Sequence, residues 1–302
     1  MENNRSPRSA TDASSPLEEG VTAYPLPPDY PFPTVFTGIA AKDAMLHAGV
    51  SRQYYDVGVS AIRCIEEALA LAGKSEDTIG AILDLPCGHG RVGRVLRVRF
   101  PQASLTACDI DPDGVAFCVR HLQAQGVASR RDFRAVRLGR TFDLIWVGSL
   151  ITHLPRWLTE RFLCCACDWL APGGLLVVSN HGRRVADWIG KGLAEKRHHA
   201  ASDPSRQALQ DFEQAGYGFF ASHQKGWNGL LARLLPSRAY GTSLIARSWL
   251  EGLALPGGRR VLAYWEHAWA DFHDIVVIGD GTARDRPGDD PIPTGRDHGA
   301  GS

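Results

Sequence analysis

Two acidic residues and a glycine turn form the most chemically telling group in the chain. Asp84 lies near the end of the apolar run Ala81–Leu85, and the chain then turns through Gly88 and Gly90 into the helix-like stretch Val92–Phe100. A strand, a tight glycine turn and a helix let a ligand approach the backbone closely. Gly88, Gly90 and Gly93 also satisfy G-x-G-x-x-G, which taken alone suggests a dinucleotide. Asp84 argues against one, because its carboxylate would face a pyrophosphate in a dry crevice and repel it. A ligand with a cationic amine and no phosphate suits the position. Further on, Asp109 ends the short apolar strand Leu105–Cys108, the place where an acid would meet ribose hydroxyls. Asp111-Pro112-Asp113 then reads as a helix start, an N-cap followed by proline in the first turn.

Asp84-Leu85-Pro86-Cys87-Gly88-His89-Gly90 resembles the first motif of the class I S-adenosylmethionine (SAM)-dependent methyltransferases, roughly acid-x-G-C-G-x-G. Pro86 departs from it, standing where that family usually has glycine; proline fixes φ and removes an N–H donor. Asp109-Ile110-Asp111-Pro112 resembles the second motif. The resemblance implies SAM as the cofactor. Asp84 would orient the methionine amine, and Cys87, Gly88 and Gly90 would offer close backbone. Asp109 would hold the ribose hydroxyls with Ile110 beside the adenine. Asp132 and Phe133 stand where the family's third acidic contact meets the adenine amine and ring. The competing reading makes Asp132 an exposed turn residue paired to Arg130, Arg131 or Arg134. Gly148, ending strand four, would let the cofactor approach bare backbone.

Methyl transfer from a sulfonium is an in-line displacement that needs positioning, exclusion of water and sometimes a base. An alcohol acceptor needs that base more than an amine does. Candidates are His153, in the region of the family's fourth motif, and His181, which follows strand five. For His153 the alternative is a pocket wall or a helix hydrogen bond. His89 sits inside the first motif and is expected to shape the loop, and His223 is a remoter candidate. Phe142–Leu154 with His181-Gly182 looks similar to bacterial methyltransferases that accompany glycosyltransferases, which implies a sugar or glycan hydroxyl. A small-molecule oxygen or nitrogen acceptor stands beside it. A non-catalytic SAM-binding module and an NAD-dependent oxidoreductase are the alternatives from other classes.

The chain has 302 residues, a balanced formal charge and 7 cysteines. That length supports one sizeable core with an added segment. A neutral balance gives no electrostatic footprint for nucleic acid. No apolar stretch is long enough to span a membrane, and the N-terminus lacks the apolar region of a secretory signal. An odd number of irregularly spaced cysteines fits a reducing cytoplasm. Cys164, Cys165 and Cys167 read as small residues of a packed helix rather than metal ligands, because no second ligand pair follows.

Alternation of strand and helix predicts a parallel sheet, and the resemblance implies the doubly wound, seven-stranded, mostly parallel sheet of the Rossmann-like methyltransferase fold with a closing antiparallel pair. Residues 1–33 are expected to be a disordered or extended arm, 34–182 the SAM-binding core, 258–280 its closing strand pair and 281–302 a flexible tail. Tyr54–Ala72 has helical spacing. The expected strands are Ala81–Leu85, Leu105–Cys108, a weak one near Val127–Arg131, Phe142–Val147, Leu175–Ser179, Arg260–Tyr264 and Asp274–Ile278. Between strands five and six, residues 183–257 are too long for a plain connection, and the resemblance implies a cap over the acceptor, since similar enzymes carry one at this place. This stretch carries Tyr217, Phe219, Phe220, Trp227 and Tyr240. The other reading of those aromatics is an extension packed on the core.

Overall fold

A computed structural model describes residues 17–18, 24–28, 30, 33–46, 52–195, 203–221 and 240–280. A short antiparallel pair, β1 (Leu17–Glu18) and β2 (Ile39–Ala40), precedes the helix α1 (Arg52–Leu71). Then follow β3 (Ala81–Asp84), α2 (Gly93–Arg99), β4 (Ser104–Asp109), α3 (Pro112–Leu122) and β5 (Gln125–Ala128). The second half of the core is β6 (Phe142–Val147), α4 (Arg156–Asp168) and β7 (Leu170–Asn180). Next come α5 (Arg183–Glu195), α6 (Pro204–Ala215), β8 (Tyr217–Ala221), β9 (Gly241–Ile245) and α7 (Arg247–Glu251). The antiparallel strands β10 (Arg259–Trp269) and β11 (His273–Asp280) complete the fold.

Seven strands form one sheet in the order β10-β11-β7-β6-β3-β4-β5. The run from β7 to β5 is parallel, and β11 is antiparallel to both of its neighbours. This is the mostly parallel sheet that the alternating pattern predicts, doubly wound as the resemblance implies. Successive side chains leave a strand on opposite faces, so each central strand feeds two cores. Ile82, Leu105, Leu144, Val177 and Val277 pack on one face with α1 and α2. Leu83, Cys108, Ile145, Val178 and Ile278 pack on the other with α4. The order reverses between β3, followed by β4 on one side, and β6 on the other. Open sheets bind ligands at the carboxyl ends of the strands flanking such a reversal.

Several boundaries differ from the sequence expectation for identifiable reasons. The third strand is Gln125–Ala128 rather than Val127–Arg131, and as a largely exposed edge strand it has no apolar run to mark it. The fifth begins at Leu170, five residues before its expected start at Leu175. Its register against β6 jumps from Phe142↔Leu170 to Leu144↔Leu175, so Pro172-Gly173-Gly174 forms a bulge inside the strand. The closing strands run longer than expected, out to Trp269 and back to His273. Cys165 and Cys167 are buried on α4. Within the 183–257 segment, β8 and β9 pair antiparallel, and Tyr217 packs into the core, bonded to Thr159 and to the Leu154 carbonyl. His223, Trp227, the 281–302 tail and most of the N-terminal arm lie outside the described residues.

Leu83, fully buried in the middle strand of the parallel run, tests the two-faced core. Leu83→Ala should lower unfolding stability by about 2–5 kcal/mol, read by chemical denaturation.

Candidate active site

A cavity of about 850 Å³ opens above the carboxyl ends of β3, β4 and β6. It is lined by Asp84, Cys87, Gly88, Asp109, Ile110, Phe133, Gly148 and His153. Asp84 is almost wholly buried, and burial, then the nearby Asp109 charge, push its carboxyl up to about 8 against a hydrogen bond from the Gly93 amide. Asp109 is also raised, chiefly by burial. Its Oδ2 accepts from the Gly88 amide at 2.8 Å and its Oδ1 from the Asp111 amide at 2.9 Å. Among the described residues neither acid is paired to a lysine or arginine. Two buried carboxylates without a cation favour a positively charged ligand and disfavour an anionic one. The residues therefore fit a sulfonium nucleoside with a free amine.

The glycine loop is held from both sides. Leu85 N donates to the Trp146 carbonyl and Cys87 N to the Cys108 carbonyl, so the missing N–H of Pro86 falls between two anchored amides. Gly88 has φ +46° and open space where a Cβ would stand, which leaves bare backbone toward the ligand. Gly90 has φ +75°, and a Cβ there would lie 2.5 Å from Leu122.

Behind the loop sits Arg94, 1% exposed. Its guanidinium donates to the carbonyls of His89 (3.1 Å) and Gly90 (2.9 Å) in the loop. It also donates to those of Phe36 and Gly38, both at 2.9 Å, in the N-terminal segment. Tyr54 Oη accepts from Arg94 at 3.3 Å and donates to Asp43 at 2.5 Å, and the Tyr54 ring faces the charge. One buried cation thus ties together the loop, α1 and residues 36–43. Asp43, Met45 and Leu46, which follow that tie, line the cavity.

Three sequence candidates lie elsewhere. Gly90 is absent from the cavity lining and packs against α3 instead. Asp132 is also absent; it caps a short 3-10 turn and forms a two-oxygen ion pair with Arg134, the competing reading of that residue. Its neighbour Phe133 does face the cavity. His181 is buried beside the cavity rather than in its wall, and burial and His153 push it down to about 3.

His153 lies in the wall. Its Nδ1 is 2.8 Å from the Gly241 carbonyl, a contact that places the ring hydrogen on Nδ1 and leaves the Nε2 lone pair bare. Burial lowers its pKa below the usual histidine value, so the ring is neutral at pH 7. Sequence reasoning missed His273, in the wall at the start of β11, with Nε2 3.1 Å from Ser149 Oγ. Ser149 holds φ +54° while its amide donates to Ser179 Oγ at 2.7 Å. Trp269 and Phe272 also reach the wall from the β10–β11 hairpin, whose turn residues Ala270 and Asp271 both have positive φ. The only sequence signal for this group is the aromatic and histidine density of residues 264–273.

The Arg94 tie makes a prediction. Arg94→Met would leave the carbonyls of Phe36, Gly38 and His89 without their guanidinium donor, at about 1 kcal/mol or more each, while the Gly90 carbonyl keeps the backbone amide of residue 94. Chemical denaturation should show a loss of several kcal/mol. Arg94→Lys should recover only a minority of it, because an ammonium cannot reach the same fork of acceptors.

Residues 82–174 match a family model described as a methyltransferase domain. A trans-aconitate 2-methyltransferase of Streptomyces avermitilis is 33% identical over 107 residues, covering 32% of this chain and 36% of the relative. The chain's match thus spans about a third of that protein. Similar solved structures include Streptomyces venezuelae DesVI, 14% identical, covering 75% of this chain and 92% of that one at TM-score 0.46. A SAM-dependent methyltransferase from Clostridium acetobutylicum is 13% identical over 79% of this chain and 96% of that one, TM-score 0.45. The stretch that matches the methyltransferase-domain model contains both Asp84 and Asp109, the two acids of the cavity.

Proposed function

We propose that the chain transfers the methyl group of SAM to an oxygen or nitrogen of a small-molecule or glycan acceptor. The observation that carries this reading is the pair of buried, unpaired acids at the ends of β3 and β4. Bound there, SAM supplies an electrophilic methyl group on a sulfonium centre. Asp84 holds the amine of the methionine part, Asp109 takes the ribose hydroxyls with its remaining lone pairs, and Cys87 and Gly88 offer close backbone. Ile110, Phe133 and Gly148 enclose the base and the sulfur side. His153 takes the acceptor's proton on Nε2, and burial keeps that nitrogen unprotonated at neutral pH. Phe133 takes the adenine face alone in this reading, since Asp132 is occupied by Arg134. His181 packs its ring edge-on to that of His153, with centroids 6.3 Å apart, and orients it. A carboxylate acceptor, as the name of the Streptomyces avermitilis relative indicates for that protein, is the second reading; the sequence match favours it.

Affinity for SAM should follow the proton on Asp84. The ionised acid is the binding form, so affinity rises with pH toward about 8, where burial has moved this group. The slope is at most about tenfold per pH unit. Above about pH 8 affinity falls again as the ligand's own α-amine loses its proton. Calorimetry across pH 6–9 checks the profile. Asp84→Asn should abolish the rising limb, and Asp109→Ala should weaken binding at every pH. A flat wild-type profile with unchanged affinity in Asp109→Ala would remove the assignment.

Catalysis should separate from binding at His153. His153→Gln should reduce kcat by about 10²–10⁴ while leaving SAM affinity nearly unchanged. The wild-type rate should climb with pH along an acid limb that lies below pH 6.5, because the folded histidine has a lowered pKa.

A further inference from the structure

We propose that the acceptor is a phenol: an uncharged planar molecule that presents an aromatic hydroxyl. This rests on the methyl-transfer reading and narrows its substrate class. The sheet order divides the cavity. The acids stand on β3 and β4, whereas His153 follows β6, and Trp269, Phe272 and His273 belong to the hairpin on the far side of β7. In that second half aromatic rings crowd the wall, some stacked or tilted against one another and others, such as Phe272 on His273, edge-on. His153 stacks on Tyr240 with centroids 4.8 Å apart and planes 19° apart. Trp269 lies 4.9 Å from His273 at 31°, and Trp188 lies 5.3 Å from Phe272 at 39°. Trp188 is 48% exposed at the cavity rim. Flat apolar walls suit a flat apolar guest.

Charge and hydrogen-bonding capacity narrow the class further. The cation on this side, Arg184, is met by Asp271 at 2.8 Å and lies over the Trp188 ring. Lys42, Arg91, Arg130 and Arg131, the other cavity cations, come from the N-terminal segment, the glycine loop and the chain after β5, on the side of the acids. Burial holds both His153 and His273 neutral at pH 7. A carboxylate would meet no matching charge among these rings, and, being ionised already, it would not use a base. A sugar would bring many hydroxyls to a wall whose serine, Ser149, is already engaged by His273. A phenol, with a pKa of about 10, both suits a wall of aromatic rings and needs the bare Nε2 of His153. In the transfer the phenol oxygen gains the methyl carbon as the carbon–sulfur bond breaks, the electron pair stays on sulfur, and the hydroxyl proton passes to His153.

The test uses the full chain with trideuteromethyl SAM and, separately, catechol, 1-naphthol, citrate, benzylamine and glucose. Mass spectrometry reads the product. Quenching of tryptophan fluorescence, with S-adenosylhomocysteine present, reads binding without turnover. Expected are O-methylated catechol or naphthol and quenching by both. Trp188→Ala should raise the phenol KM about tenfold with kcat within about threefold, the size of a lost ring contact. Label appearing only on citrate, benzylamine or glucose overturns the phenol assignment and leaves methyl transfer standing. SAM binding by calorimetry with no quenching and no methylation of either phenol overturns the phenol assignment too. No SAM binding at all brings down the underlying reading, and the assignment with it.

Discussion

Asp84 is a carboxylate placed where a carboxylate is expensive, and much of the surrounding structure exists to keep it there. It sits at the end of the middle strand of the parallel run, wholly inside the protein, with a second buried acid close enough to raise its pKa further. Desolvation of that kind costs several kcal/mol for an ionised group, and the fold returns little of it. The Gly93 amide at the start of α2 supplies one hydrogen bond, and Asp109 spends its own lone pairs on the Gly88 and Asp111 amides. What remains is an unmet demand for positive charge at one point of a deep cavity. Such a demand selects ligands by charge before shape enters.

The loop between the acids answers a separate problem, that of presenting backbone without letting it collapse onto them. Anchors to β6 and β4 fix its beginning, and the buried guanidinium behind it holds the carbonyls of His89 and Gly90 turned away from the cavity. A carbonyl swung toward Asp84 would worsen the repulsion that the ligand must relieve. Of the non-glycine residues with positive φ, Ser149 after β6 and the hairpin turn residues Ala270 and Asp271 line the cavity, whereas Gln123 and His267 do not.

Of the candidate site, the residues that neighbour one another in sequence were legible as neighbours, and those brought together across the fold were not. Asp84 through Gly90 is one continuous turn, and Asp109 follows one crossover later, so spacing alone placed both acids on neighbouring strand ends. The sheet was equally readable, because its inner strands are near-continuous apolar runs bounded by turns. The edge strand Gln125–Ala128 was blurred because exposed strands carry no such run, and with it went the register that would have separated Asp132 from Phe133. His273 could not be found by spacing. It reaches the cavity only because β10 and β11 run past their expected ends and fold back through a hairpin, a fact of sheet geometry rather than of motif. Arg94 likewise reads as one of several basic residues on a short helix until its acceptors, more than fifty positions upstream, are seen.

That last separation has a kinetic consequence. Phe36 and Gly38 stand 58 and 56 positions before the guanidinium that binds them. A guanidinium buried before its acceptors arrive would be stranded without partners, so the contact is formed together or not at all. Closing so long a loop costs chain entropy that only completed contacts return. The motif loop and residues 36–38 are therefore coupled, since opening either one strands the groups of the other. Residues 43–46 line the cavity just beyond that tie, so a ligand that stabilises the closed arrangement is expected to slow proteolysis of this segment, a gauge of occupancy at a distance from the chemistry.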